Sequence, residues 1–272
     1  MIRWFAGHPT AANLLLIVLI AVGALAAPGL IRETFPDFRP TEAVVSVAYR
    51  GAGASDVEDA VCRVLWDAVQ PVENLAGFLC DIQERVRGVD FDAPEVVRAS
   101  QLRNTFIDRT LSVSIEETPA VASARLVIPT VSDNTERHPR LQEFMLTTDD
   151  ATLGVEVPLW LTPADIGTLD RRHGIDLLAA APPSRTALTP VRAITGHADI
   201  LQLRKGKVHI LDYKPGARHE KPYAQLTLYA LALTCRVPGL SIMDIRCTWF
   251  DENQAYAFSP RDALHRDGLL RS

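Results

Sequence analysis

The chain has 272 residues, a formal net charge of −5, and 47% hydrophobic residues. That apolar content supplies a core and excludes a disordered chain, while the acidic balance excludes a protein that coats nucleic acid through overall basicity. The four cysteines, Cys62, Cys80, Cys235 and Cys247, form no C-x-x-C pair, which leaves free thiols or a Cys62–Cys80 disulfide and argues against a zinc ribbon.

Between Arg3 and Arg32 there is no charge, and from Ala11 to Ile31 only Asn13 is strongly polar. The run matches the roughly 20 apolar residues that a helix needs to cross a bilayer, and Trp4 and Phe5 suit one interface. It predicts a transmembrane helix within residues 1–31, with residues 11–31 in the lipid. A secretory signal peptide, with Ala24-Leu25-Ala26 as cleavage site, and a buried core helix are the competing readings. Residues 43–49 then alternate around Val44, Val45 and Val47, and Gly51 and Gly53 break the run. Ser55 followed by Glu58 has the spacing of a capping box, and Val57, Val61, Val64, Leu65 and Val69 form an apolar helix face. Such a face needs a partner, and without one the region is expected to be marginal.

The stretches IRWFAGHPTAANLL and ETFPDFRPTEAVVSVAYRGAGASDVEDAVCRVLWDAVQPVENLAG resemble the amino terminus of the RND efflux transporter family. The resemblance covers about a third of the chain and fades near Gly88. It implies that the apolar helix is a first transmembrane span and that residues 32–88 are a porter-like α+β fragment. It further implies a single-pass protein of a bacterial inner membrane, with its carboxyl-terminal part in the periplasm. The sequence has no second long apolar run, so a proton-relaying bundle, and with it a working pump, is not expected.

The charged, turn-rich stretch RVRGVDFDAPE marks a boundary, and residues 90–272 read as a second domain. A helix is predicted over 94–110, strands in LSVSIEE and SARLVIPTV, an exposed loop at SDNTERHPR, and a short helix over 141–146. Next come strand GVEVPLWL, a helix over 163–178, a loop AAPPSRTALTP, strands HADILQLR and KVHILDYK, helix EKPYAQLTLYALALTCR, and strands DIRCTWF and QAYAFS. This alternation predicts an α/β domain with a mixed sheet.

Two acids stand out in the hairpin of residues 197–214. With a two-residue turn at Lys205-Gly206, Asp199 falls opposite Asp212. Side chains directly opposed on one face lie about 4.5–5.5 Å apart at Cβ, and two carboxylates that close repel unless a cation joins them. Oxygen donors of this kind favour magnesium or manganese. Lys214 shares a face with Asp212 by the strand period, and His197 falls opposite Lys214. A solvated hairpin is disfavoured by Ile200, Leu201, Leu203, Val208, Ile210 and Leu211, which put apolar groups on both faces; a satisfied buried polar cluster is the alternative to a metal site.

Asp199 followed by Asp212-Tyr213-Lys214 resembles the D…(D/E)-x-K signature of PD-(D/E)XK nucleases. Gln225 and Tyr229 are similar to the Q-x-x-x-Y motif of the RecB-type branch, Glu156-Val157-Pro158 to its E-x-P strand, and Gly196 to its G-x-x-D turn. The ordered set spans about residues 140–260 and implies a restriction-endonuclease-like core that hydrolyses phosphodiester bonds of nucleic acid, DNA by preference. It further implies that Asp199, Asp212 and the main-chain carbonyl of Tyr213 hold the metal, that Lys214 orients the attacking water, and that Gln225 and Tyr229 support the site or touch nucleic acid. Glu156 completes the metal shell in this reading, with Glu143 and His138 as rivals; His197 is a neighbour of the ligands or a packing residue. The sequence lacks the flanking cysteines of iron-sulfur relatives and has no G-x-x-x-x-G-K-[ST] loop, so neither a cluster nor a nucleotide cofactor is expected. Arg204, Lys205, Lys207, Arg218, His219 and Lys221 form a basic group expected either near phosphates or merely solvated. The functional expectation is a membrane-tethered, metal-dependent nuclease; the alternative is a truncated permease fragment whose carboxyl-terminal domain binds nucleic acid without catalysis or is inert.

Overall fold

The computed structural model describes residues 63–91, 93, 95–182 and 191–264. In chain order the elements are α1 (Arg63–Cys80), α2 (Ile82–Val86), β1 (Val96–Arg98), β2 (Ser114–Glu116), α3 (Pro119–Val127), α4 (Asn134–Thr148), β3 (Thr152–Leu161) and α5 (Pro163–His173). They continue with α6 (Leu177–Ala180), β4 (Ala193–Arg204), β5 (Lys207–Tyr213), α7 (Tyr223–Arg236), β6 (Ile245–Phe250), β7 (Ala255–Phe258) and α8 (Pro260–Ala263). The strands form one mixed sheet in the order β1-β4-β5-β6-β7-β2, with β3 also paired to β4.

Among the described residues no helix is long and apolar enough to cross a membrane. This corrects the expected architecture of a core preceded by a transmembrane helix: the mixed sheet is present, and a spanning helix is not among its elements. The longest described helix, α1, carries Arg63, Asp67 and Glu73 in its sequence and Pro71 inside it, a composition too charged for a bilayer core. Residues 1–31, on which the membrane expectation falls, and the strand and capping box expected at 43–58 lie outside the described residues. The carboxyl-terminal half of α1 does find a partner. Leu75 and Phe78 are buried, the Phe78 ring lies 6.4 Å from Trp160 of β3, and Asn74 Nδ2 donates to the carbonyl of Pro238 at 2.8 Å.

Local chemistry explains where the other elements form. The strand predicted at SARLVIPTV is α3 instead: Pro119 opens it after Thr118, and Ala120, Val121, Ala124 and Ile128 are buried at helical spacing. The loop predicted at 132–140 is the first half of α4. Asp133 caps it by accepting the Thr135 amide at 2.9 Å, and the helix runs through Pro139. The helix predicted over 94–110 is β1 followed by short 3-10 turns, because parallel pairing of Val96–Arg98 with Ala193–Thr195 overrides local propensity. Helices cover both faces of the sheet. On one, α3 and α4 bury Leu141 and Met145 against Val155, Ile200, Leu211, Tyr213 and Phe250. On the other lies α7, whose Leu226 carbonyl accepts from the Cys247 thiol of β6 at 3.4 Å.

Candidate active site

The site sits where the sheet forks. β4 is longer than its neighbours: β3 runs along one edge from Ile194 to Gln202, so β1 and β5 must share the other. β1 leaves that edge at Thr195 and β5 joins it at Ile200, which leaves Gly196 to Asp199 without a strand on that edge. The hairpin register is the one expected from the turn, with Arg204 on Lys207 and Ile200 on Leu211, and both turn residues adopt positive φ, 51° at Lys205 and 71° at Gly206. The ladder stops one pair short of the two acids. Asp212 stays paired to Trp249 of β6, and Asp199 accepts the Tyr213 amide with its carboxylate, at 3.2 Å, in place of a backbone bond.

The acids nevertheless face one another. Asp199 and Asp212 are within hydrogen-bonding reach, burial acts on both, and the charge of Asp199 acts on Asp212. Burial and the neighbouring Asp199 push the Asp212 carboxyl well above the usual range. Burial also acts to raise Asp199, but the His138 contact, the adjacent Asp212 side chain and the charge of Lys214 outweigh it and hold Asp199 low. Lys214 Nζ is 3.1 Å from Asp212 Oδ1, and the Lys214 amide donates to the Phe250 carbonyl at 2.9 Å, extending the β5–β6 pairing to hold this residue in place. Burial alone would lower the Lys214 ammonium; Asp212 and Asp199 overcome it and raise it.

His138 comes from α4 and Glu156 from β3. His138 Nε2 of α4 lies 2.7 Å from Asp199 Oδ2 and its ring rests on Tyr213 at 5.6 Å. Glu156 falls opposite Asp199 in the β3–β4 register, yet the two do not pair, and the Glu156 backbone is left-handed with φ 49°, a strained conformation for a residue with a side chain. Gln142, one turn beyond His138 and buried, spans the break: its Nε2 donates to Glu156 Oε1 at 2.6 Å and to the Asp199 carbonyl at 3.2 Å. Sequence reasoning passed over Gln142. The Asp133 cap with Glu136 three residues on was the signal that would have put His138 and Gln142 on one helix face.

Gln225 and Tyr229 form a unit. Gln225 Nε2 donates to the Tyr229 hydroxyl at 3.2 Å, which also meets the His197 amide; burial drives the phenol far above its usual range. The ring lies directly on Gly196, where an added Cβ would come within 2.6 Å of Tyr229 Cε1. His197 is exposed, with its ring 5.1 Å from Phe91. Glu143 is not at the site, being exposed and paired with Arg140. Arg204, Lys205 and Lys207 are not there either: they sit at the far end of β5 from Asp212, about 17 Å away at the usual strand rise. Cys80, Cys235 and Cys247 are free thiols.

Among the described residues no three His, Cys, Asp or Glu side chains close tightly enough to clasp an ion as they stand. The donor chemistry still fits a hard divalent cation. Both Asp212 oxygens and His138 Nε2 are buried without a well-directed hydrogen bond, and all three gather around the Asp199 carboxylate. The chain matches no protein-family model, and no curated protein is significantly similar to it.

Proposed function

We propose that this chain is a metal-dependent nuclease of the RecB-type PD-(D/E)XK class, hydrolysing phosphodiester bonds of nucleic acid. One observation carries the reading: Asp212 is 1% exposed with both carboxylate oxygens lacking a directed hydrogen bond, beside a second acid and 3.1 Å from a lysine. Isolated buried carboxylates are costly, and a carboxyl raised by burial and by a neighbouring acid is the pattern of a functional site.

Asp199 and Asp212 would hold magnesium or manganese, with the Tyr213 carbonyl, His138 and Glu156 as further donors. When bound, such an ion polarises the phosphate and lowers the pKa of a coordinated water. The residues of the chain supply the rest. Lys214, a cation at neutral pH because both acids raise it, offers donors to a water and to the charge that develops on the attacked phosphate. Tyr213 fixes the geometry: its amide holds Asp199, its ring wedges between His138 and Phe250, and burial together with Glu252 pushes its phenol to about 12, so it stays neutral. Gln142 locks Glu156 to the Asp199 backbone, and Tyr229 holds β4 at Gly196.

The test is a cleavage assay of the full-length chain on labelled DNA and RNA, with magnesium or with EDTA, beside Asp212→Ala and Lys214→Ala. Magnesium-dependent cleavage that both substitutions reduce by a thousandfold or so is the expected result, a range common for single groups of a catalytic set. Equal activity in all three chains would refute the assignment.

A further inference from the structure

Lys214 is the first residue past the end of β5, and its amide donates to the Phe250 carbonyl of β6 at 2.9 Å. The next two residues loosen the chain. Pro215 has no amide to donate, and Gly216 turns with a φ of 71° that its lack of a side chain permits. Ala217, fully buried, is then gripped on both its backbone groups by side chains of β6 and the turn that follows it. Asp251 Oδ2 accepts the Ala217 amide at 3.0 Å, and Trp249 Nε1 donates to the Ala217 carbonyl at 2.8 Å. Asp251 and Trp249 are only 5% and 2% exposed. The Asp251 carboxylate divides its work. Oδ1 accepts the Asn253 and Gln254 amides at 2.7 and 2.9 Å and so closes the β6–β7 turn, as acids in turns commonly do. The bond from Ala217 to Oδ2, made to a residue 34 positions along the chain, is not needed for that turn.

We propose that Asp251 and Trp249 are positioning residues for Lys214: they clamp Ala217 to β6 and thereby fix the direction from which the lysine reaches Asp212. The inference rests on the nuclease reading and adds the part of the fold that aims its lysine. Three consecutive residues, Trp249, Phe250 and Asp251, hold both ends of the segment from Lys214 to Ala217. With both ends fixed and a proline between them, the segment has little freedom left. With only the Lys214 amide fixed, the glycine turn lets the backbone shift and the lysine with it. A misplacement of about 1 Å is enough to slow a reaction roughly a hundredfold, so the clamp acts on the rate without touching the substrate.

Two conservative substitutions in the full-length chain open the clamp and keep the fold. Asp251→Asn retains Oδ1 for the turn and sets an amide NH2 against the Ala217 amide, donor against donor; Trp249→Phe retains a ring and removes the donor to the Ala217 carbonyl. Two measurements are made on each: steady-state cleavage with magnesium, and, in EDTA, acetylation of lysines by dilute acetic anhydride, read by mass spectrometry. The lysines of the chain are Lys205, Lys207, Lys214 and Lys221, so Lys205 and Lys207, at the hairpin turn, serve as internal standards. In each variant kcat is expected to fall roughly tenfold to a hundredfold with KM within about twofold of the unaltered chain. The double variant is expected to be little worse than the poorer single one, because both act through Ala217. Lys214 acetylation is expected to rise severalfold relative to Lys205 and Lys207. Arg236→Ala, remote from the acids, is the control for lost stability and is expected to change neither readout. Unchanged kcat in both variants, or a fall in kcat with Lys214 acetylation unmoved, overturns the clamp. If the unaltered chain cleaves and both variants keep its kcat, the clamp fails and the nuclease reading stands; if Lys214 acetylation rises in the variants but no chain cleaves, the clamp stands and hydrolysis fails.

Discussion

His138 Nε2 lies 2.7 Å from Asp199 Oδ2, so a helix residue and a strand residue share one charge contact at the mouth of the fork. Burial lowers the His138 imidazole, but the Asp199 contact and the charge of Glu156 more than offset it, and the net direction is up. A histidine raised on folding stabilises the fold below its unfolded value of 6.5, and this contribution fades as pH rises through the higher folded value. His138→Ala is therefore expected to lower the melting temperature of the chain in EDTA more at about pH 5.5 than at about pH 8.5. Thermal melts at the two pH values check it; an equal loss at both would show that the contact carries no charge. Cleavage is expected to fall roughly tenfold to a hundredfold in the same variant.

Asp212 points the opposite way from an ordinary surface acid. Its folded value is raised by burial and by Asp199, so ionising it costs stability, and that cost grows as pH rises above the unfolded value of 3.8 through the folded one. Asp212→Asn keeps the shape and removes the charge. In EDTA at neutral pH the variant is expected to melt a few degrees higher than the unaltered chain, an advantage that disappears in acid, while magnesium-dependent cleavage is lost. A lower melting temperature at neutral pH would mean that the carboxylate is held by contacts stronger than those seen.

Gln142→Ala leaves the Glu156 carboxylate and the Asp199 carbonyl without their shared donor. A loss of about 1–3 kcal/mol is expected in urea unfolding, as for other polar groups stripped of a partner. Because Glu156 stands in a left-handed backbone, the release should also relax the strand and move the acid, lowering kcat more than KM. A stability loss with unchanged kcat would make Gln142 a packing residue only.

Arg236 offers a contrast remote from the acids. Its guanidinium lies 4.8 Å from the Trp160 ring and pairs closely with Asp165, which also closes the capping box of α5. Burial acts to raise Asp165, but the Thr162 amide and hydroxyl and the Arg236 charge outweigh it and hold the carboxyl low. That contribution is present above the unfolded value of 3.8 and is lost as pH falls through the folded one. Arg236→Ala is expected to cost about 1–3 kcal/mol at neutral pH, less in acid, with cleavage unchanged once the chain is folded. Paired urea titrations at neutral and acid pH measure both.

Much of the hairpin was legible because its turn dictates its register: Lys205-Gly206 admits positive φ, and every pair from Arg204–Lys207 to Ile200–Leu211 follows. Beyond Leu211 that logic lapses. β5 is drawn toward β6, to which Asp212 and Tyr213 stay paired, and the fork that opens the site is a property of three strands competing for two edges. No local pattern encodes it. α7 is legible because its apolar run is long and uninterrupted, whereas the first half of α4 lies in the polar run SDNTERHPR, which has the composition of an exposed loop though the helix passes through Pro139. β1 was hidden by length: three residues carry too little periodicity to distinguish a strand from a helical turn until Ala193–Thr195 arrives from far along the chain.

The missing side chain at Gly196 is replaced from a neighbouring helix by the ring of Tyr229, so the two positions behave as one unit of inheritance. Enlarging the first demands shrinking the second, and shrinking the second alone leaves a hole beside the acids. Natural homologues that abandon glycine here are expected to abandon tyrosine too. A randomised library sorted only for soluble expression, with no demand for catalysis, should rediscover the same coupling.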